Sequence, residues 1–207
     1  SLVLFLGKSS QEDMPQKLLC REIKKLDVKP RVSGSIVCQG SFMYLPDGEH
    51  AGAKMQHAAL SFYRLTEMGK ENMEAIALER KNGEGIFFIV DLQAETSGYV
   101  DFDLEVPEDC QMEIGWGEHL EDGRCRTEIA QRNFSVTARL KKGRNCYMNP
   151  FRRLGCRYIQ FFLHTSEVKI YYAGLRPTVY PVKQLEYKSG NLLRDEIYAV
   201  CCNTLIQ

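Results

Sequence analysis

Residues 86–106 read IFFIVDLQAETSGYVDFDLEV, and the two halves of this stretch decide the fold. Ile86–Leu92 is an apolar run bounded by Gly85 and polar residues, the mark of a strand buried on both faces. From Gly98 the pattern changes to strict alternation. Val100, Phe102, Leu104 and Val106 point one way, and Asp101, Asp103 and Glu105 the other. That period of two places a half-buried strand on the surface of a core. The same signature recurs downstream. Met112, Ile114 and Trp116 alternate against Gln111 and Glu113, and Phe134, Val136, Ala138 and Leu140 against Ser135, Thr137 and Arg139. Arg157–Leu163 and Val168–Tyr172 supply two more strands. Pro107, Asp122-Gly123, Lys142-Gly143, Asn149-Pro150 and Gly174 separate them as turn formers. Many short strands with regular turns predict an all-β chain, an antiparallel β-sandwich of jelly-roll-like form.

Upstream, the signal is weaker. Leu2–Leu6 is too short for a secretory core and reads as a buried strand. Pro15–Asp27 fits a brief helix or an extended segment. Ser35–Gln39 and Ser41–Leu45 read as short strands, and Ala51–Tyr63 fits either a strand or a helix. Residues 1–85 are therefore expected to lie in or on the sandwich, with 86–176 as its core and 177–207 as a linker and helix. In that last part Leu193, Ile197, Val200 and Leu205 recur at helical spacing, with Asn191 as the N-cap. Such a stripe needs a surface to pack on, so the chain is expected to be a piece of a longer protein.

Composition narrows the function. There are 27 basic and 27 acidic residues, a formal net charge of zero. That argues against nucleic-acid binding and against attachment to an acidic membrane surface. No apolar run approaches the ~20 residues of a spanning helix. The eight cysteines have no zinc-site spacing and sit largely in apolar patterns, which favours free thiols and a cytoplasmic location.

In order, the segments FIVDLQAETSG (Phe88–Gly98), Tyr99–Val106, MEIGWGEHLEDG (Met112–Gly123), RTEIAQRN (Arg126–Asn133) and GCRYI (Gly155–Ile159) resemble the β-sandwich that precedes the catalytic barrel in bacterial α-L-rhamnosidases. Asn191–Leu205 is similar to the segment that leads into that barrel, and Pro15–Pro30 loosely resembles the lead-in to the sandwich. One departure is Leu92-Gln93, where the family often has Leu-Gly. The resemblance implies a non-catalytic domain of an α-L-rhamnosidase-type glycoside hydrolase. It would support an α/α-barrel elsewhere in its own chain and could edge the substrate cleft. The parent would act on a rhamnosylated glycan or glycoside by inverting chemistry between two carboxylates. Those carboxylates lie in the barrel, so no residue here inherits a catalytic role, and neither a cofactor nor a metal is implied. The alternatives are a stand-alone carbohydrate-binding module and a protein-interaction sandwich.

Four residues are candidates for contact with carbohydrate: Trp116, Glu118, Arg152 and Tyr158. The single tryptophan could stack on a pyranose face. Its parity with Met112 and Ile114 instead predicts a core position. Glu118 could bind hydroxyls or hydrogen-bond backbone at a strand end. Arg152 and Tyr158 belong to a basic-aromatic cluster with Tyr147, Phe151, Arg153 and Arg157, which also fits cross-strand packing. The acidic row Asp101, Asp103, Glu105 projects side by side rather than around an ion, and is expected to be a solvated face.

Overall fold

A computed structural model describes residues 22–32, 34–45, 50–63, 75–182 and 186–206. The expected strand at Leu2–Leu6 and most of Pro15–Asp27 lie outside the described residues. The elements are β1 (Asp27–Val28), β2 (Ser35–Met43), α1 (Ala51–His57), β3 (Ala59–Phe62), β4 (Ile76–Glu79), β5 (Gly85–Val106), β6 (Cys110–Gly117), β7 (Leu120–Glu121), β8 (Arg124–Cys125), β9 (Glu128–Ile129), β10 (Arg132–Asn133), β11 (Ser135–Leu140), β12 (Gly143–Leu163), β13 (Glu167–Val179) and α2 (Leu192–Ile206). The ambiguous stretch 51–63 is both things in turn, a helix and then a strand.

The two halves of residues 86–106 belong to one long strand, β5, which pairs along its length with the equally long β12. The first half of β5 takes β2 as its other neighbour, and the second half takes β13. The last part of β12 also pairs with β6, and β6 with β11. Every pairing is antiparallel. One sheet thus curls so that its halves face each other, giving an all-β sandwich-like fold with a C-terminal helix.

The bend sits where the register of β5 and β12 slips. Tyr158 pairs with Asp91, but Cys156 pairs with Thr96, so residues 92–95 leave the ladder. Gln93 there has φ 68°, a left-handed conformation that costs a side-chain-bearing residue about 1–2 kcal/mol. This is the position where the resembled family often carries glycine. The corner is pinned instead by Asp91. Its carboxylate takes a bidentate pair from Arg157 at 2.9 and 3.0 Å and a bond from the Gln93 amide at 2.7 Å.

Alternation then sorts the core. Phe88, Val90, Ile114, Trp116, Ile159 and Phe161 from one half meet Val100, Phe102, Leu104, Val168 and Leu175 from the other. Phe88 stacks on Phe161 with ring centroids 4.9 Å apart. Opposite-parity residues Phe87, Ile89 and Phe162 form a second cluster on the outer side of the first half, covered by Phe42, Met55 and Ala58. The apolar run Ile86–Val90 is therefore buried on both faces, as its lack of alternation predicts. Helix α1 is tied over this cluster by Arg124, which donates to the carbonyls of Gln56 and Ala58 at 2.8 Å each.

The acidic row is not a solvated face. Asp101 is 1% and Asp103 7% exposed. Arg31 and Arg176 donate to the Asp101 carboxylate, and Arg144 makes a bidentate pair with Asp103 at 2.7 and 2.9 Å. Glu105 accepts from the Tyr171 hydroxyl at 2.7 Å. Arg144 from β12, Arg176 from β13 and Arg31 from the segment between β1 and β2 converge on this face, and burial follows from their packing. The seven described cysteines are free thiols. Among the described residues no helix is long and apolar enough to cross a membrane.

Helix α2 has the expected N-cap, since the Asn191 side chain accepts from the Arg194 amide at 3.2 Å. The helix buries none of its residues. Leu192 is 83%, Val200 66% and Leu205 81% exposed.

Candidate functional site

A concavity lies between β11 and β12. A tight turn at Lys141-Lys142 joins these strands, yet they do not pair. Among the described residues β11 bonds only to β6, and the first half of β12 only to β5. The two strands splay into opposite halves of the sandwich and leave a wedge of about 390 Å³ between them.

Register fixes which side chains turn into it. Val136 and Ala138 sit across from Ile114 and Met112 of the core, so they face inward. Asn145 and Tyr147 sit across from Leu104 and Phe102 and do the same, while Arg144 and Cys146 face outward. The floor is Val100, Phe102 and Ile114. The Tyr147 ring lies 5.9 Å from that of Phe102 and is 47% exposed.

Both ends of the wedge are fastened. At the apex, Asn145 accepts from the Lys141 amide at 3.0 Å and donates to the carbonyls of Lys141 and Gly143. At the far end, Arg152 reaches across from β12 to donate to the carbonyls of Ser135 at 3.1 Å and Asn133 at 2.8 Å. Arg152 stands on a bulge, residues 149–152, formed where Met148 pairs with Asp101 but Arg153 with Tyr99. Pro150 suits this bulge because it has no N–H to give to a ladder. The Asn149 side chain accepts from the Phe151 amide at 3.1 Å, and the Phe151 side chain is 83% exposed.

The four sequence candidates divide. Trp116 is 4% exposed and packs with the core, its ring edge-on to Phe134 at 6.4 Å. Arg152 covers its face, with the guanidinium carbon 4.5 Å from the ring centroid. Those two meet, just beyond the end of the wedge. Glu118 is exposed past the end of β6. It lies near Glu95, whose pKa is raised by burial and further by the Glu118 charge. Tyr158 packs against the outer cluster, on the opposite face of its sheet from Trp116, with Arg157 over its ring at 5.0 Å. The structure therefore does not bring the four together. Tyr147 and Phe151, which the sequence grouped with Arg152 and Tyr158, present the more accessible aromatic surface. Asn149, read in the sequence as a turn former, lines the wedge.

A second hollow of about 340 Å³ lies beside α1, lined by Gln56, His57, Arg124 and Arg126 among others. Its main cation, Arg124, is engaged by the helix carbonyls. Another polar group sits on the outer face of the first half, where the buried Glu113 accepts from Gln111 and stands 3.1 Å from the His164 ring nitrogen. Among the described residues no set of three His, Cys, Asp or Glu side chains is placed to hold a metal ion.

The fold has counterparts among solved structures. A rhamnosidase from Klebsiella oxytoca with rhamnose bound superposes with a TM-score of 0.55 at 11% identity, over 88% of this chain and 35% of that one. The GH78 family rhamnosidase of Bacillus sp. GL1 gives 0.49 at 25% identity, over 58% of this chain and 13% of that one. A Ruminococcus gnavus GH29 fucosidase in complex with fucose gives 0.36 at 13% identity, over 53% and 21%. The chain thus spans about a third of the Klebsiella protein's length and shares the fold of that part. No family model matches it, and no curated protein does.

Proposed function

We propose that this chain is a non-catalytic sandwich domain of a carbohydrate-active enzyme of the α-L-rhamnosidase type, packed in its parent protein against a helical catalytic body. In this reading residues 86–176 are the sandwich core and 177–207 the passage into the second body. The observation that carries the reading is the helix α2. Its apolar residues are exposed, whereas the alternating apolar sets of the described sheet strands are buried. Leaving five such side chains in water is unfavourable by roughly 25 cal/mol per Å² of apolar surface, so a covering body is expected. The ordered sequence motifs and the fold of the Klebsiella enzyme agree with the same reading. A buried Trp116 with Arg152 as its lid is what a supporting domain predicts, and a binding module built on that tryptophan does not. Hydrogen exchange tests the packing. In the parent protein the α2 amides should exchange far more slowly than in this chain alone. Equal, fast exchange in both would remove the reading.

A further inference from the structure

We infer that the wedge between β11 and β12 is a binding site for a single neutral sugar ring, with Tyr147 as its stacking surface and Asn149 as its hydroxyl-recognising group. The inference rests on the carbohydrate reading above and gives it a place on the molecule.

Size and shape come first. A cavity of about 390 Å³ falls within the roughly 300–1,000 Å³ of small-molecule sites. It is fastened at both ends, by Asn145 at the apex and Arg152 across the mouth, so it exists before a ligand arrives. Preorganisation of this kind lowers the cost of binding.

Chemistry selects the class. The side chains that turn inward, Val136, Ala138, Asn145, Tyr147 and Asn149, carry no charge. The one charged lining residue, Arg139, sits across from Gln111 and so turns its side chain to the outer face, and Arg152 is engaged by two carbonyls, so a charged ligand would meet no free counter-charge on the inner face and would lose its hydration uncompensated. An apolar floor under an accessible aromatic ring suits the C–H face of a pyranose, whose rim of hydroxyls needs a few fixed polar groups. Those groups are present. The Asn149 oxygen is held by the Phe151 amide, which fixes the side chain and leaves its NH2 without a partner among the described residues. Among the described residues the Tyr147 hydroxyl is likewise unengaged, and no strand pairs with the facing edges of β11 and β12. Phe151, on the same bulge, is a second exposed aromatic ring.

The test is a titration of this chain with L-rhamnose, L-fucose, D-galactose and D-glucose, followed by NMR of the labelled protein. Concentrations should reach about 100 mM, two decades above a millimolar Kd. Saturable shifts are expected at Tyr147, Ala138 and Asn149 with at least one sugar. Tyr147→Ala should weaken that binding about tenfold, the worth of one aromatic contact. Ala138→Phe, which fills the wedge, should abolish it. Tyr147 is exposed, so the first variant keeps its fold, and an unchanged melting curve verifies this. No shift with any sugar would overturn the site. Binding that persists unchanged in both variants would place a sugar elsewhere and overturn the wedge while leaving the carbohydrate reading intact. Glycosidase activity of the parent protein tests that reading separately.

Discussion

The guanidinium carbon of Arg152 lies 4.5 Å from the ring centroid of Trp116 while the same side chain donates to the carbonyls of Ser135 and Asn133. One side chain thus seals the open end of the sandwich core and bridges strands from its two halves. Replacing it by alanine removes two hydrogen bonds and a cation–π contact, an expected loss of about 1–3 kcal/mol. Urea unfolding measures this. Trp116 emission should shift to the red as the ring meets water. Arg152→Lys should recover only part of the loss, because an ammonium cannot span both carbonyls and cover the ring.

At the corner of β5, Gln93 is strained and a glycine is not. Gln93→Gly should stabilise the protein by about 0.5–1 kcal/mol, the relief of a left-handed residue less the entropy gained by the unfolded chain. The Gln93 amide would keep its bond to Asp91. A lower melting temperature would show that the glutamine side chain holds the corner in some other way.

Acid should unfold the protein through its buried carboxylates. Arg157 holds the Asp91 carboxyl below its usual range, and Arg144 does the same for Asp103. His164 and Gln111 lower Glu113 against the opposing effect of its burial. A depressed folded pKa means that the unfolded chain binds protons more readily. The stabilisation is therefore complete above the ordinary carboxylate range, about 3.9–4.3, and is lost as pH falls below it. Asp103→Asn should lower stability at neutral pH and flatten the acid limb of the curve. An acid limb as steep as in the wild type would remove Asp103 from the account.

Thiol reactivity should follow burial. Cys125 and Cys156 are 0% exposed and burial pushes both thiols up, whereas Cys146 and Cys201 are exposed. Burial raises Cys110 to about 11. Alkylation at pH 8 should modify Cys146 and Cys201 first, with Cys125 and Cys156 reacting only on unfolding. Mass spectrometry of peptides over time gives the order.

Much of the fold was legible because strand period is a strong signal. Val100–Val106 and Met112–Trp116 alternate cleanly, and each alternating set packs into the core as its parity requires. Parity likewise places Trp116 inside. What could not be read was where strands go after they turn. A two-residue connection between β11 and β12 looks like a hairpin, and only the long-range pairing of β12 with β5 pulls the strands apart into a wedge. The acidic row misled for a related reason. Its partners Arg31, Arg144 and Arg176 come from distant positions, and local pattern cannot show that they converge. Tyr158 was grouped with Arg152 by sequence proximity, but strand parity sends its side chain to the other face.

The most direct test of the central claim is an assay of the parent protein, carrying this chain and its continuation, beside this chain alone on p-nitrophenyl α-L-rhamnopyranoside. The account predicts hydrolysis by the parent and none by the chain by itself. A parent protein that cleaves neither this substrate nor a panel of other aryl glycosides would contradict it.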